Sequence, residues 1–172
     1  MIKIARIALL AVAAIGLAGA QTKVGVINSQ KAMLDTAEIK KAQLELEAKY
    51  KGRQDQLAQL QKDIAMLRSQ IESGKLSPSA QQDVTIQGQR KERELQRVQE
   101  DLQADVDRDR NDILGRTSQR MREVVSKIAN DRGLDVVIDT ANTIYFKPAL
   151  DLTAEATAAY DKTYPASPGA SK

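Results

Sequence analysis

The sequence predicts an α+β protein that is mostly α, with a long antiparallel coiled-coil hairpin forming an arm on a small β-body. Two observations predict the arm. Apolar residues recur in alternating steps of three and four, and a second helical run follows after a few turn-forming residues. A third observation predicts the body, since short β-like segments flank the helical runs on both sides. Because so small a β-body offers one apolar layer with open edges, we expect several subunits to build it together.

Residues 1–20 are predicted to be a signal peptide. Two basic residues precede an apolar run from Ile7 to Leu17, and small residues at 18–20 lie where a signal peptidase would cut. The apolar run is too short to span a bilayer. A buried N-terminal helix is the alternative interpretation, but the pattern favours an exported protein.

The arm is predicted over residues 35–132, with its tip at 73–77. Five apolar residues of the first helix keep the three-four step without interruption and form a structural seam: Leu57, Leu60, Ile64, Leu67 and Ile71. The same count extends backwards through Ile39, Gln43, Leu46, Tyr50 and Arg53. The second helix keeps this step less strictly, and its drift through Met121, Val124 and Ile128 indicates a change of supercoil or of partner near the base.

Local signals set the ends of the two arm helices. Asp35 with Glu38 fits a capping box at the start of the first helix. Gly74 tolerates the left-handed backbone that ends it, and Ser77 followed by Pro78 is a favourable start for the second. The short tip requires the two helices to lie side by side and antiparallel.

The body is predicted from the segments on either side of the arm. Residues 21–34 form its first part, with a strand at 23–28, and residues 133–164 form the rest. The second part contains strands at 134–139 and 143–147 and a C-terminal helix, and 165–172 is expected to be a disordered tail. The residues predicted to form the shared body are Val24, Val26, Val136, Ile138, Ile144 and Phe146.

Composition argues against most catalytic chemistry. The chain has no histidine and no cysteine, which removes the common nucleophile–base pairs, and no phosphate-binding loop for ATP is present. Asp105, Asp107 and Asp109 imitate the start of a calcium loop, but Arg110 and Arg116 replace its glycine and closing glutamate. We interpret the three aspartates as a solvated helix face. Hence we expect neither an enzyme nor a bound metal or cofactor.

The net charge gives no reason to expect a nucleic-acid partner. Without the two basic residues of the signal peptide, the chain has 24 basic and 23 acidic residues. A net charge of +1 lacks the basic excess that nucleic-acid binding requires.

The tip of the arm carries the candidate client-binding residues. These are Leu76, Val84, Ile86, Arg90, Lys91 and Arg93. The apolar members would bind unfolded chains at many weak points, and the basic members would attract acidic clients or an anionic membrane surface. The alternatives are structural: the apolar residues close the end of the coiled coil, and the basic residues form a solvated helix face.

Several segments, taken in order, resemble the Skp (OmpH-like) family of periplasmic chaperones. They are Lys-Val-Gly-Val-Ile-Asn at 23–28, Lys-Gly-Arg at 51–53, Gly-Leu-Asp-Val-Val-Ile-Asp-Thr-Ala-Asn-Thr-Ile-Tyr at 133–145, and Asp-Leu-Thr at 151–153. The resemblance implies a periplasmic homotrimer with a β-barrel-like core, whose three arms surround a cavity. It also implies an ATP-independent holdase that keeps unfolded outer-membrane proteins from aggregating.

A structural or adaptor coiled coil with one fixed partner is the alternative function. Adaptors of that kind carry sizeable β-domains beside the hairpin. The short flanking segments of this chain therefore argue against an adaptor.

Overall fold

The computed structural model describes residues 22–166, and the predicted signal peptide and residues 167–172 of the predicted tail lie outside this range. It is mostly helical with one two-stranded sheet, which confirms the predicted fold class. In chain order, the elements are β1 (Val24–Ile27), α1 (Ser29–Leu34), α2 (Ala37–Glu72), α3 (Pro78–Arg132), β2 (Val136–Asp139), 3-10 turns at Thr140–Asn142 and Pro148–Leu150, and α4 (Thr153–Thr163). Among the helices of residues 22–166, none contains an apolar stretch sufficient to span a lipid bilayer.

Helices α2 and α3 pair to form the arm, with lengths of about 54 and 82 Å at 1.5 Å per residue. At the tip, Gly74 adopts a left-handed backbone with φ 66°, and the Ser77 hydroxyl accepts a hydrogen bond from the Ala80 N–H at 3.3 Å. Gly133 ends α3 in the same left-handed conformation, with φ 60°. Residues that allow a positive φ or satisfy free N–H groups therefore set these helix ends.

The seam between α2 and α3 is apolar with two polar interruptions. Leu60 and Ile64 are buried, as are Ile39 and Tyr50 nearer the base. Leu57, Leu67 and Ile71 are half-buried, whereas Gln43 and Arg53 are exposed at their seam positions. A two-helix arm cannot enclose every seam position, because each helix meets a partner on only one side.

The end of α3 leaves α2 and packs in the body. Met121, Val124 and Ile128 are buried in one core with Ala32 of α1 and Tyr160 of α4. The drift in the seam of the second helix is therefore a change of packing partner, since α3 meets α1 and α4 there. One continuous helix thus joins the arm to the body.

Strands β1 and β2 pair in parallel, from Val24 opposite Val136 to Ile27 opposite Asp139. The sheet packs closely on the body core at Gly25. A Cβ atom added to Gly25 would lie 2.6 Å from Cδ1 of Leu152 and 2.9 Å from Cδ1 of Leu134. This position therefore requires the absence of a side chain.

The predicted strand at 143–147 is wrong for the single chain. Residues 140–142 form a 3-10 turn, in which the Asp139 carboxylate accepts a hydrogen bond from the Ala141 N–H at 2.8 Å. The side of β1 away from β2 pairs instead with the segment around Asp151, through a bridge to Val26 and a 2.8 Å bond from the Leu152 N–H to the Val26 carbonyl. Since β1 is hydrogen-bonded to β2 on one side and to residues 151–152 on the other, the segment 143–147 has no free strand to pair with and lies between the two 3-10 turns.

The start of the arm also differs from the prediction. A short helix, α1, precedes it, and Asn28 caps α1 by accepting a hydrogen bond from the Lys31 N–H at 2.8 Å. Thr36, not Asp35, caps α2, whereas Asp35 pairs with Lys31 at 2.6 Å. The capping-box interpretation is therefore wrong, because another good capping residue follows Asp35 directly.

Candidate functional site

Exposed apolar side chains lie on the body, in β2 and in the segment that follows it. Val136 and Ile138 project from the same face of β2 and are exposed, and Ile144 and Tyr145 are largely in solvent. Of the other predicted body residues, Val26 is buried within the chain's own core, and Val24 and Phe146 are half-buried. The exposed apolar groups of β2 and of the unpaired segment 143–147 are therefore available to a second molecule.

The predicted tip residues divide into packed and exposed groups. Leu76 and Val84 are half-buried, so they contribute to closing the end of the hairpin, whereas Ile86 is exposed. Arg90 and Arg93 are exposed and form no ion pair within residues 22–166. Lys91 is different, because its ammonium pairs with Asp63 of α2 at 2.7 Å and this hydrogen bond raises the pKa of Lys91.

Ion pairs link α2 and α3 along the arm. Arg53 pairs with Asp105 and Lys49 with Asp109, both at 2.5 Å, and the Tyr50 hydroxyl donates a hydrogen bond to Asp109 at 2.7 Å. Nearer the tip, Arg68 pairs with Glu92 at 2.7 Å. These contacts set the register of the two helices, because each joins two defined positions across the seam.

The aspartate face of α3 is not simply solvated. Hydrogen bonds from Lys49 and Tyr50 hold the pKa of Asp109 below its ordinary value, and the bond from Arg53 does the same for Asp105. The solvated-face interpretation is therefore wrong for these two residues. Asp107, two positions from each along the chain, is exposed and accepts a hydrogen bond from Gln103 at 2.9 Å.

One carboxylate joins the arm to the body. Glu38 of α2 accepts hydrogen bonds from Arg116 and Arg120 of α3, both at 3.0 Å, and a bond from the hydroxyl of Tyr160 in α4. Burial acts to raise the pKa of Glu38, but the bonds from Tyr160 and Arg116 and the charge of Arg120 outweigh it, so the pKa is lowered. Glu38 is therefore ionised near neutral pH and holds three helices together.

An apolar cleft of about 490 Å³ lies between α2 and α3 just above the body. Its apolar lining residues, which we call its floor, are Leu34, Ile39, Ala42, Leu46, Tyr50, Val106, Ile113 and Leu114, and its polar lining residues, which we call its rim, are Gln43, Glu47, Gln54 and Arg110. We call this cleft the basal groove. Leu34 is 42% exposed at its lower end, so the floor is in contact with solvent.

The basal groove and the Glu38 cluster were not predicted from the sequence. Gln43 was the available signal for the groove, since a polar residue at a seam position indicates that the helices part there. No motif indicated the Glu38 cluster, because its members are up to 122 residues apart. Within residues 22–166, no group of three or more potential ligand side chains is arranged to hold a metal ion.

Comparison with known proteins agrees with this architecture. The family model described as outer membrane protein (OmpH-like) matches residues 23–160. A Skp-like protein of Pseudomonas aeruginosa PAO1 is 24% identical over 136 residues, 78% of this chain and 81% of the relative. The chaperone protein Skp of Salmonella typhimurium LT2 is 26% identical over 143 residues, 80% of this chain and 86% of the relative.

A solved structure has the same fold. The crystal structure of an OmpH-like protein from Caulobacter crescentus CB15 superposes with a TM-score of 0.71 at 17% identity, covering 87% of this chain and 90% of that one. The family match extends from β1 through the arm to α4, and thus includes both the hairpin and the body. The chain therefore belongs to the Skp (OmpH-like) family.

Proposed function

We propose that this protein is an ATP-independent periplasmic holdase chaperone. It binds unfolded outer-membrane proteins in a cavity between helical arms and prevents their aggregation during transit. Membership of the Skp family supports the chaperone role. The predicted signal peptide at 1–20 supports a location outside the cytoplasm.

The arm is the observation that carries this proposal. A hairpin tens of ångströms long presents exposed apolar side chains at widely separated points, among them Leu44, Met66 and Ile86. Each such contact is weak, but contacts along one arm share a high effective concentration once the first has formed. A surface of this kind suits a long unfolded chain better than a compact folded partner.

The exposed apolar residues of the body support assembly into a homotrimer. Val136, Ile138, Ile144 and Tyr145 would otherwise leave apolar side chains in water on β2 and on the unpaired segment 143–147. Association of copies through these residues would cover them and would place the arms side by side. The β-barrel-like core expected from the family would then be built from the β-bodies of three subunits.

The exposed cations at the tip add an electrostatic component. Arg90 and Arg93 are available to acidic clients or to an anionic membrane surface, whereas Lys91 is neutralised in part by Asp63. This component is expected to be weak, because Arg68 is also paired, with Glu92.

Aggregation of a urea-unfolded outer-membrane β-barrel protein, followed by light scattering on dilution, tests the proposal. Several-fold excess of the mature protein should suppress the scattering without ATP, and an equal mass of lysozyme should not. Undiminished scattering would contradict the holdase function. Co-purification distinguishes the adaptor alternative, since a holdase captures a changing population of unfolded barrels and an adaptor captures one fixed partner.

A further inference from the structure

We propose that the basal groove binds one short extended segment of an unfolded outer-membrane β-barrel protein. The segment is one that forms a membrane-spanning strand once the barrel has folded. This inference rests on the proposed function and locates a client contact within it. It places that contact at the base of the arm, whereas the sequence analysis predicted client contacts at the tip.

The floor of the groove is apolar and accessible. Leu46, Val106, Ile113 and Leu114 are half-buried, so each retains surface that a client side chain can cover. Tyr50 is buried and held by its hydrogen bond to Asp109, which gives the floor one fixed aromatic wall. The volume of about 490 Å³ accommodates several side chains.

The rim offers hydrogen-bonding groups at a spacing that suits an extended chain. Gln43 and Gln54 are exposed, and neither side chain forms a hydrogen bond with another residue of the described range. They are eleven positions apart, which is about three turns, so they lie on the same face of α2 about 16 Å apart. An extended segment of about five residues covers that distance at roughly 3.3 Å per residue. The two amides can therefore pair with free main-chain groups of the client.

The charges of the rim favour a neutral occupant. Glu47 and Arg110 are exposed, and neither forms an ion pair within residues 22–166, so the rim has one anion and one cation. A nucleic acid or an anionic lipid would require a basic excess, which this groove lacks. Strands of outer-membrane barrels alternate apolar and polar residues. Every second side chain could thus enter the floor while the others remain in water.

Photo-crosslinking of the full mature protein tests this placement directly. A benzophenone amino acid replaces Gln54 on the rim in one variant. In the matched control it replaces Ala48, which is exposed on the opposite side of α2. The probe is a peptide copying one membrane strand of an outer-membrane barrel. Strong crosslinking from Gln54 and little from Ala48 is expected. Equal crosslinking from both positions, or crosslinking of Gln54 to a second copy of this protein, would overturn the proposal.

A pair of glutamine substitutions provides the second arm of the test. Leu46→Gln makes the floor polar, whereas Ala48→Gln introduces the same side chain at an exposed position on the opposite side of α2. We expect Leu46→Gln to weaken peptide binding about tenfold and Ala48→Gln to leave it unchanged. Unchanged affinity in a folded Leu46→Gln protein, checked by circular dichroism, would overturn the groove assignment alone. Failure of the unmodified protein to bind any unfolded barrel would instead contradict the proposed function.

Discussion

The hydroxyl of Tyr160 in α4 donates a hydrogen bond to the carboxylate of Glu38 in the first turn of α2. Since Arg116 and Arg120 of α3 bind the same carboxylate, helices from the arm and the body meet at one residue. Tyr160 is fully buried, and its ring packs against Tyr164 at 5.2 Å between ring centres. The orientation of the arm on the body therefore depends on this cluster.

Removing the hydroxyl of Tyr160 should destabilise the protein. Tyr160→Phe keeps the ring in the core but takes one donor from a partly buried carboxylate, so we expect a loss of about 1–2 kcal/mol in the free energy of unfolding. Urea denaturation at fixed protein concentration measures this. Tyr164→Phe, which removes a hydroxyl bonded at 2.7 Å to the exposed carboxylate of Glu123, is the control and should lower the midpoint less. Equal midpoints for Tyr160→Phe and the unmodified protein would show that the bond is not stabilising.

Stability should fall in acid because of Glu38. Its pKa in the folded protein lies below the ordinary value of 4.5, so the unfolded state binds the proton more readily. The contribution of Glu38 is therefore complete above pH 4.5 and is lost as the pH falls through the folded pKa.

Glu38→Gln should lack this part of the acid dependence, measured as the urea midpoint at several pH values. Glu47→Gln, which alters a carboxylate without an ion pair in the described range, should retain it. An identical pH profile for Glu38→Gln and the unmodified protein would contradict the role given to this carboxylate.

Reversing one cross-arm ion pair should loosen the arm, and reversing both partners should restore it. Arg53→Asp places a second carboxylate beside Asp105, which lies 2.5 Å from Arg53 in the native pair. The melting temperature should fall in this variant and in Asp105→Arg, and should recover when the two changes are combined. If the double variant instead loses the sum of the two single decreases in melting temperature, the two side chains do not interact. High salt should reduce the change in melting temperature in all three variants.

Glycines of the arm and of the body should respond oppositely to alanine. A Cβ at Gly52 meets nothing within 4 Å, so Gly52→Ala should stabilise the helix by up to about 1 kcal/mol. Gly25→Ala should destabilise the protein, because its Cβ would lie 2.6 Å from Leu152. Thermal melts of the two variants measure the contrast. Destabilisation by Gly52→Ala would contradict this prediction, because it would mean that the added methyl group meets a neighbouring atom that is absent from this structure.

Sequence patterns predicted the arm because its stabilising contacts repeat locally. The step from Leu57 to Ile71, the left-handed Gly74 and the Ser77 cap each depend on residues close together in the chain. The body depends on contacts between distant segments, and there the strands at 23–28 and 134–139 and the C-terminal helix were predicted correctly but the third strand was not. Segment 143–147 has the composition of a strand, but Asp151 takes the place beside β1.

The candidate site was predicted least well, because exposure is decided by pairing across the hairpin. Lys91 and Arg93 are alike in sequence, yet only Lys91 has an opposing carboxylate, Asp63, on the facing helix. In the same way Leu44 and Leu46 are two residues apart, but only Leu46 lines the basal groove. To distinguish the members of each pair, one would need to know which residues of α2 lie opposite which residues of α3.

The mass of the mature protein in solution, measured by light scattering with and without one unfolded outer-membrane barrel, tests the central claim most directly. A holdase built from three arms on a shared body predicts the mass of three chains alone, and that mass plus one client chain after mixing. A stable single chain whose mass does not change when the client is added would contradict both the shared body and the holdase function.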